Sequence, residues 1–247
     1  MKDPIFKTLK DFLCSKVSSQ DTVIAGVSGG IDSSALLFLL SDYAYLYGID
    51  LHIAHFDHGW RKESGEQAQL LRSLVENTLR WPFHLERSKD SGKKRANLED
   101  EARRERLAFF QRVYHKTGAS GLLLAHQRED QAETVLKRIF EGASLQHLEG
   151  IRSVSTIEGM QVWRPLLNVP REKLKKLVIA RNWDYFDDET NEDPAFLRPR
   201  MRQELLPLLE SCFGKKVEMS LCRLRSQAQL LSQYYEPKMD ALYAHFT

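Results

Sequence analysis

Val23-Ile24-Ala25-Gly26-Val27-Ser28-Gly29-Gly30-Ile31-Asp32-Ser33-Ser34 is the stretch on which the reading of the whole chain turns. Its apolar opening, Val23 to Val27, has the length of a buried strand. The residues after it repeat apolar positions at Leu36, Leu37, Leu40 and Tyr43 with helical spacing. The turn between them carries two adjacent glycines, which bend tightly and let a ligand approach the backbone with no Cβ in the way. Ser33 and Ser34 then open the helix, where unpaired N–H groups and the positive dipole end attract an anion. Ser28 adds a third hydroxyl, and Asp32 places a carboxylate where magnesium bridges to phosphate oxygens. A glycine pair between strand and helix is often only a turn, but the hydroxyls and carboxylate around this one make it a phosphate cradle. It lacks the Walker-A lysine, so it is not the loop that holds a terminal phosphate for transfer.

Outward from that stretch, strands and helices alternate. Ile5 to Val17 reads as an amphipathic helix, and Leu51 to Phe56 as a second strand ending at Asp57-His58-Gly59. Glu63 to Leu79 has helical spacing and stops at Trp81-Pro82, before a third strand at Phe83 to Arg87. A basic loop follows. Asn97, with Asp100 at the capping-box position, then starts a helix that runs to about Lys116. Leu122 to His126 is the fourth strand and Arg128 to Phe140 the helix after it. Such alternation predicts an α/β fold, a doubly wound parallel sheet with right-handed crossovers. Ligands of these sheets lie beyond the carboxyl ends of the strands, where Ser28, Asp57 and His126 fall. From about Lys215 the texture becomes helical, with Met219, Leu221, Leu224, Leu230, Leu231 and Tyr234 as its apolar positions and Pro237 as an interruption. The expected division is therefore a domain over 1–212 and a small C-terminal helical appendage, or the start of a second domain, over 213–247.

Composition narrows the class. No apolar run in the 247 residues reaches membrane length, and charges are spread through residues 1–20, so neither a signal peptide nor a transmembrane helix is expected. Cys14, Cys212 and Cys222 are odd in number and form no Cys-x-x-Cys pair, which fits a reducing cytoplasm and no disulfide or metal framework. With a net charge of +2, any nucleic acid must be met by local patches.

Four places stand out. Beyond the second strand, His58 and Arg61 can reach a phosphate or a base. On the helix after the fourth strand, Asp130, Glu133 and Thr134 share a side, so two carboxylates and a hydroxyl converge. Asp130 is the better second magnesium ligand, leaving Glu133 for a cationic amine. Lys93, Lys94 and Arg95 form one basic cluster and Arg198, Arg200 and Arg202 another, both suited to phosphate contacts without base specificity.

Ser28 to Ser33 resembles the pyrophosphatase-type loop of the N-type ATP pyrophosphatases, which implies an adenine nucleotide alpha hydrolase-like, Rossmann-like sheet. With Asp57-His58-Gly59-Trp60-Arg61 and Asp130-Gln131-Ala132-Glu133-Thr134 added, the chain from Val23 to Leu209 resembles the tRNA(Ile)-lysidine synthetase family. Glu101 to Arg106, Arg164 to Leu167 with Arg171, and Asp188 to Asn191 extend the likeness. Two segments depart from it. His126-Gln127-Arg128-Glu129-Asp130 has lost a histidine and an aspartate, and Arg198-Pro199-Arg200-Met201-Arg202 replaces a usual Arg-Asn-x-x-Arg.

The resemblance implies a nucleotide held by Ser28, Gly29, Gly30, Ile31, Asp32, Ser33 and Ser34. Asp32 and Asp130 become the catalytic magnesium ligands, and 1–212 the catalytic domain. ATP and magnesium are the implied cofactors. Lysine and the isoleucine tRNA with a CAU anticodon are the substrates, with His58, Arg61 and Glu133 meeting lysine or cytidine, and a homodimer is admissible. Larger members carry further C-terminal tRNA-binding domains, for which little room is expected here. Two rival readings are another enzyme of this loop type, thiolating a tRNA base (such enzymes typically need paired cysteines) or amidating a small acid (with a glutaminase or larger synthetase domain), and a non-catalytic tRNA-binding module with a degenerate nucleotide site.

Overall fold

The computed structural model describes residues 3–60, 63–88, 98–182 and 197–243. Six strands, β1 (Thr22–Gly26), β2 (Asp50–Asp57), β3 (Phe83–Arg87), β4 (Gly121–Leu124), β5 (Val154–Ile157) and β6 (Met160–Trp163), form one sheet in the order β3-β2-β1-β4-β6-β5. All neighbouring pairs are parallel except β5 with β6. The central strand β1 is apolar on both sides because both sides are covered. Val23, Ala25, Leu51, Ile53 and Leu123 pack with residues of α1 (Pro4–Leu13), α2 (Ile31–Tyr47) and α6 (Arg171–Ala180). Ile24, Ala54, Leu122 and Val162 pack instead with Phe109, Phe110 and Val113 of α4 (Leu98–Thr117). Helices on both faces are the doubly wound arrangement that the alternation predicts.

Two features of this region escape the alternation. β5 and β6 form an antiparallel hairpin closed by Glu158 (φ 49°) and Gly159 (φ 78°), a two-residue turn with both residues left-handed. Glu-Gly is a weaker turn signal than Asn-Gly, and four-residue strands carry little periodicity. The helix over α3 (Ser64–Ser73) also continues as a π-helical turn, Leu74–Leu79, before Trp81-Pro82 ends it.

By Cα packing the chain divides into two compact units, residues 1–127 with 153–187, and residues 128–152 with 188–247. The first holds the sheet. The second holds α5 (Arg128–Phe140), α7 (Leu197–Arg200), a π-helical turn (Met201–Leu205), α8 (Leu206–Phe213) and α9 (Val217–Tyr243). Ala132, Val135 and Leu136 of α5 are buried with Met201 and Leu221. The second unit is held together because the apolar face of α5 is covered by helices some seventy residues later. Pro237 does not end α9, which continues to Tyr243. Among the described residues no helix is long and apolar enough to cross a membrane.

Candidate active site

The loop after β1 closes on one hydroxyl. Ser33 Oγ accepts from the backbone N–H of Ser28 (3.2 Å) and of Gly29 (3.1 Å), lies 3.1 Å from Ser28 Oγ, and donates to Gly30 O (2.8 Å). Ser34 Oγ donates to Gly29 O (3.4 Å) and Ser28 Oγ accepts from Gly30 N–H (3.4 Å). Gly29 sits at φ 90°, where a side chain would be strained, so this position requires glycine. Gly30 is the N-cap of α2, and no side chain caps that helix. The start of α2 therefore carries the positive end of the helix dipole with no capping side chain.

Asp32 stands in the first turn of α2, and its Oδ2 lies 3.4 Å from Arg171 Nε at the start of α6. A guanidinium beside the loop supplies cationic charge where a Walker lysine is absent. No local signal pairs positions so far apart in the chain; only the family likeness singles out Arg171.

At the end of β2, Asp57 is buried and builds the turn: its Oδ1 accepts from Gly59 N–H at 2.8 Å, and its Oδ2 lies 3.5 Å from Arg87 Nε. Gly59 takes φ 66° there. His58 stacks on Trp60 (centroids 4.8 Å, 24°) and meets Phe56 edge-on (5.0 Å, 71°). Ser28, Asp57 and His126 all lie at or just past the carboxyl ends of the adjacent parallel strands β1, β2 and β4. Buried Arg164, just after β6, donates to Ser155 Oγ (2.8 Å), and burial with the nearby charge of Arg103 lowers its pKa to about 10.

The second unit holds a carboxylate pair. Arg202 donates to Glu133 Oε1 through Nε (2.8 Å) and Nη2 (2.6 Å), and Nη2 lies 3.7 Å from Asp130 Oδ1. Asp130 and Glu133 thus do face the same way. Thr134 does not join them, because its hydroxyl donates to the Asp130 carbonyl at 2.7 Å. Glu133 is 1% exposed, and its Oε2 has no hydrogen-bond partner among the described residues. Burial pushes its carboxyl above the usual range, with the Asp130 charge adding to the rise, while Arg202 pulls it back in part. Arg202 is accordingly drawn to the carboxylates, while Arg198 and Arg200 are exposed. Arg61, Lys93, Lys94 and Arg95 lie outside the described residues, as do Asp188 to Asn191.

The PP-loop domain family matches residues 1–209. A tRNA(Ile)-lysidine synthase of Chlamydia pneumoniae is 35% identical over 238 residues, covering 96% of this chain and 73% of that protein. The chain belongs to the tRNA(Ile)-lysidine synthase family. The enzyme of that name from Protochlamydia amoebophila (strain UWE25) is 32% identical over 96% of this chain but only 52% of its own length. Members of this family are PP-loop enzymes. Among solved structures, the U34-tRNA thiolase NcsA from Methanococcus maripaludis, solved with its [4Fe-4S] cluster, matches with a TM-score of 0.69 at 17% identity, covering 90% of this chain and 76% of the thiolase. At that identity the likeness is one of fold.

Proposed function

We propose that this chain uses ATP to join lysine to the wobble cytidine of the isoleucine tRNA bearing a CAU anticodon, forming lysidine. What carries the reading is the uncapped start of α2 behind a self-closed glycine turn, in a chain of this family. In the first step the carbonyl oxygen of cytidine attacks the α-phosphorus of ATP, and the bond to pyrophosphate breaks. In the second the ε-amine of lysine attacks the activated ring carbon, loses a proton, and AMP leaves with the former carbonyl oxygen.

The residues divide the work. Backbone N–H groups at the start of α2, with Ser28, Ser33 and Ser34 shaping the turn, hold phosphates. Asp32, an oxygen ligand beside them, suits magnesium arriving with the triphosphate, because that ion keeps waters and takes only one or two carboxylates. Asp130 is the second proposed ligand. Magnesium held by these two carboxylates would supply positive charge to offset that of the pyrophosphate. His58 and Arg61 meet the cytidine or a phosphate. Glu133 anchors the lysine ammonium, for which its unpartnered, buried Oε2 is a ready acceptor. Arg198 and Arg200, with Lys93, Lys94 and Arg95, contact tRNA phosphates; Arg202 aligns the two carboxylates instead. The free cysteines Cys14, Cys212 and Cys222 suit the cytoplasm.

Mass spectrometry of anticodon nucleosides tests the proposal after incubation of the tRNA with ATP, magnesium and lysine. The expected product is cytidine carrying one lysine, formed only with ATP. An anticodon that gains sulfur, or stays unmodified while still bound, overturns it.

A further inference from the structure

We infer that His55 is a positioning residue of the phosphate loop, holding the first loop amide in place from beneath; the functional half of this inference rests on reading that loop as the nucleotide site. β1 and β2 are paired in parallel as far as Gly26 with Ala54. One residue later Val27 N–H donates to Ala54 O at 2.9 Å, and Val27 O accepts from His55 Nδ1–H at 2.7 Å. Both backbone groups of Val27 are therefore held by β2 at the point where the chain leaves the sheet. The Val27 carbonyl and the Ser28 N–H belong to one planar peptide group. Fixing the direction of the carbonyl fixes the direction of that N–H, which is the one that meets Ser33 Oγ at 3.2 Å. The imidazole thus sets the plane from which Ser28, Gly29 and Gly30 turn into α2.

The surroundings of the ring suit this role. His55 is buried and lies against Phe83, with ring centroids 6.3 Å apart at 18°. Its hydrogen bond to Val27 requires the proton on Nδ1, and burial favours the neutral ring. It is neither a motif residue of the loop nor placed near it by sequence spacing; only the pairing of β2 with β1 brings it there.

His55→Leu and His55→Asn separate positioning from packing. Both lose the ring on Phe83, but the asparagine amide N–H stands where Nδ1–H stood. Three readouts are needed: thermal midpoint, exchange of the Ser28 amide without nucleotide, and the ATP dissociation constant from titration. Similar midpoint losses are expected in both variants. In His55→Leu, exchange at Ser28 quickens and the dissociation constant rises, each by roughly tenfold, while His55→Asn stays within about threefold of the parent. Parent-like exchange and affinity in His55→Leu, or an asparagine variant no better than the leucine one, overturns the inference. A parent protein that does not bind ATP removes the nucleotide reading and the functional half with it. Faster Ser28 exchange in His55→Leu would then still establish the positioning itself.

Discussion

Two helix starts in this molecule solve different electrostatic problems. α2 follows β1 through a turn whose donors are backbone N–H groups and whose hydroxyls are spent on shaping the turn. α5 begins instead with Glu129 and Asp130 in its first turn, and the guanidinium of Arg202 lies against Asp130 and Glu133, the latter 69 residues away in sequence. The first start keeps the positive end of the helix dipole. The second gathers negative charge, neutralises part of it, and keeps one buried carboxylate oxygen without a hydrogen-bond partner among the described residues. A site made of backbone is written in consecutive residues. A site made of side chains from separate helices is not.

The contrast can be broken most decisively at Asp32. Asp32→Asn keeps the size of the side chain and removes the metal-binding charge, so ATP–pyrophosphate exchange should fall by at least about 10³-fold with little change in melting temperature. Survival of exchange would move the metal away from α2. Next in size is Arg202→Met, which strands Glu133 as a buried carboxylate. The loss should be about 2–3 kcal/mol by urea denaturation, below the 3–5 kcal/mol of wholly buried pairs because Arg202 is partly exposed. Much of it should return in Arg202→Met/Glu133→Gln; no recovery would mean that Arg202 acts through packing alone.

Ser33→Ala tests whether the α2 turn is held by its hydroxyl. Removing the shared acceptor of two amides should raise the Michaelis constant for ATP by roughly tenfold and leave that for lysine unchanged. Equal changes for both substrates would point to general loosening.

The smallest expected effect is a pH dependence of opposite sign in the two units. Burial lowers the pKa of His55, and burial with the charges of His52 and Lys116 lowers that of His84, so the folded state takes up these protons less readily than the unfolded chain. Their contribution is complete above about pH 6.5 and is lost as pH falls through the folded values. Glu133 is raised by burial, so its folded state binds a proton more readily; stability falls as pH rises from the ordinary carboxylate value through the raised one. Amide protection in the sheet should therefore weaken between pH 7.5 and 5.5 while that of α5 holds or improves. Parallel loss in both regions would contradict these signs.

How far the sequence could be read follows the same division. Four parallel strands, the turn after β1 and the Asp57 turn were legible because each is a local pattern: an apolar run, a glycine forced to positive φ, an aspartate two residues before the amide it accepts. The β5–β6 hairpin was not, since two four-residue strands around Glu158-Gly159 offer no period to detect. Grouping Arg202 with Arg198 and Arg200 was reasonable from spacing, yet its guanidinium is held by Glu133 and Asp130, which no window of sequence contains. The compact units follow burial of the α5 face, which joins residues far apart in the chain.

By itself, then, the sequence determined the alternating fold, the glycine turn after β1 and its acidic neighbour, because short-range sterics and hydrophobic period act through consecutive residues. Tertiary structure alone decided that Arg171 faces Asp32, that Arg202 joins Glu133 to Asp130, and that His55 reaches Val27. Each of these depends on strands or helices packing across long stretches of chain, and the contact exists only once the apolar surfaces between its two ends have been buried.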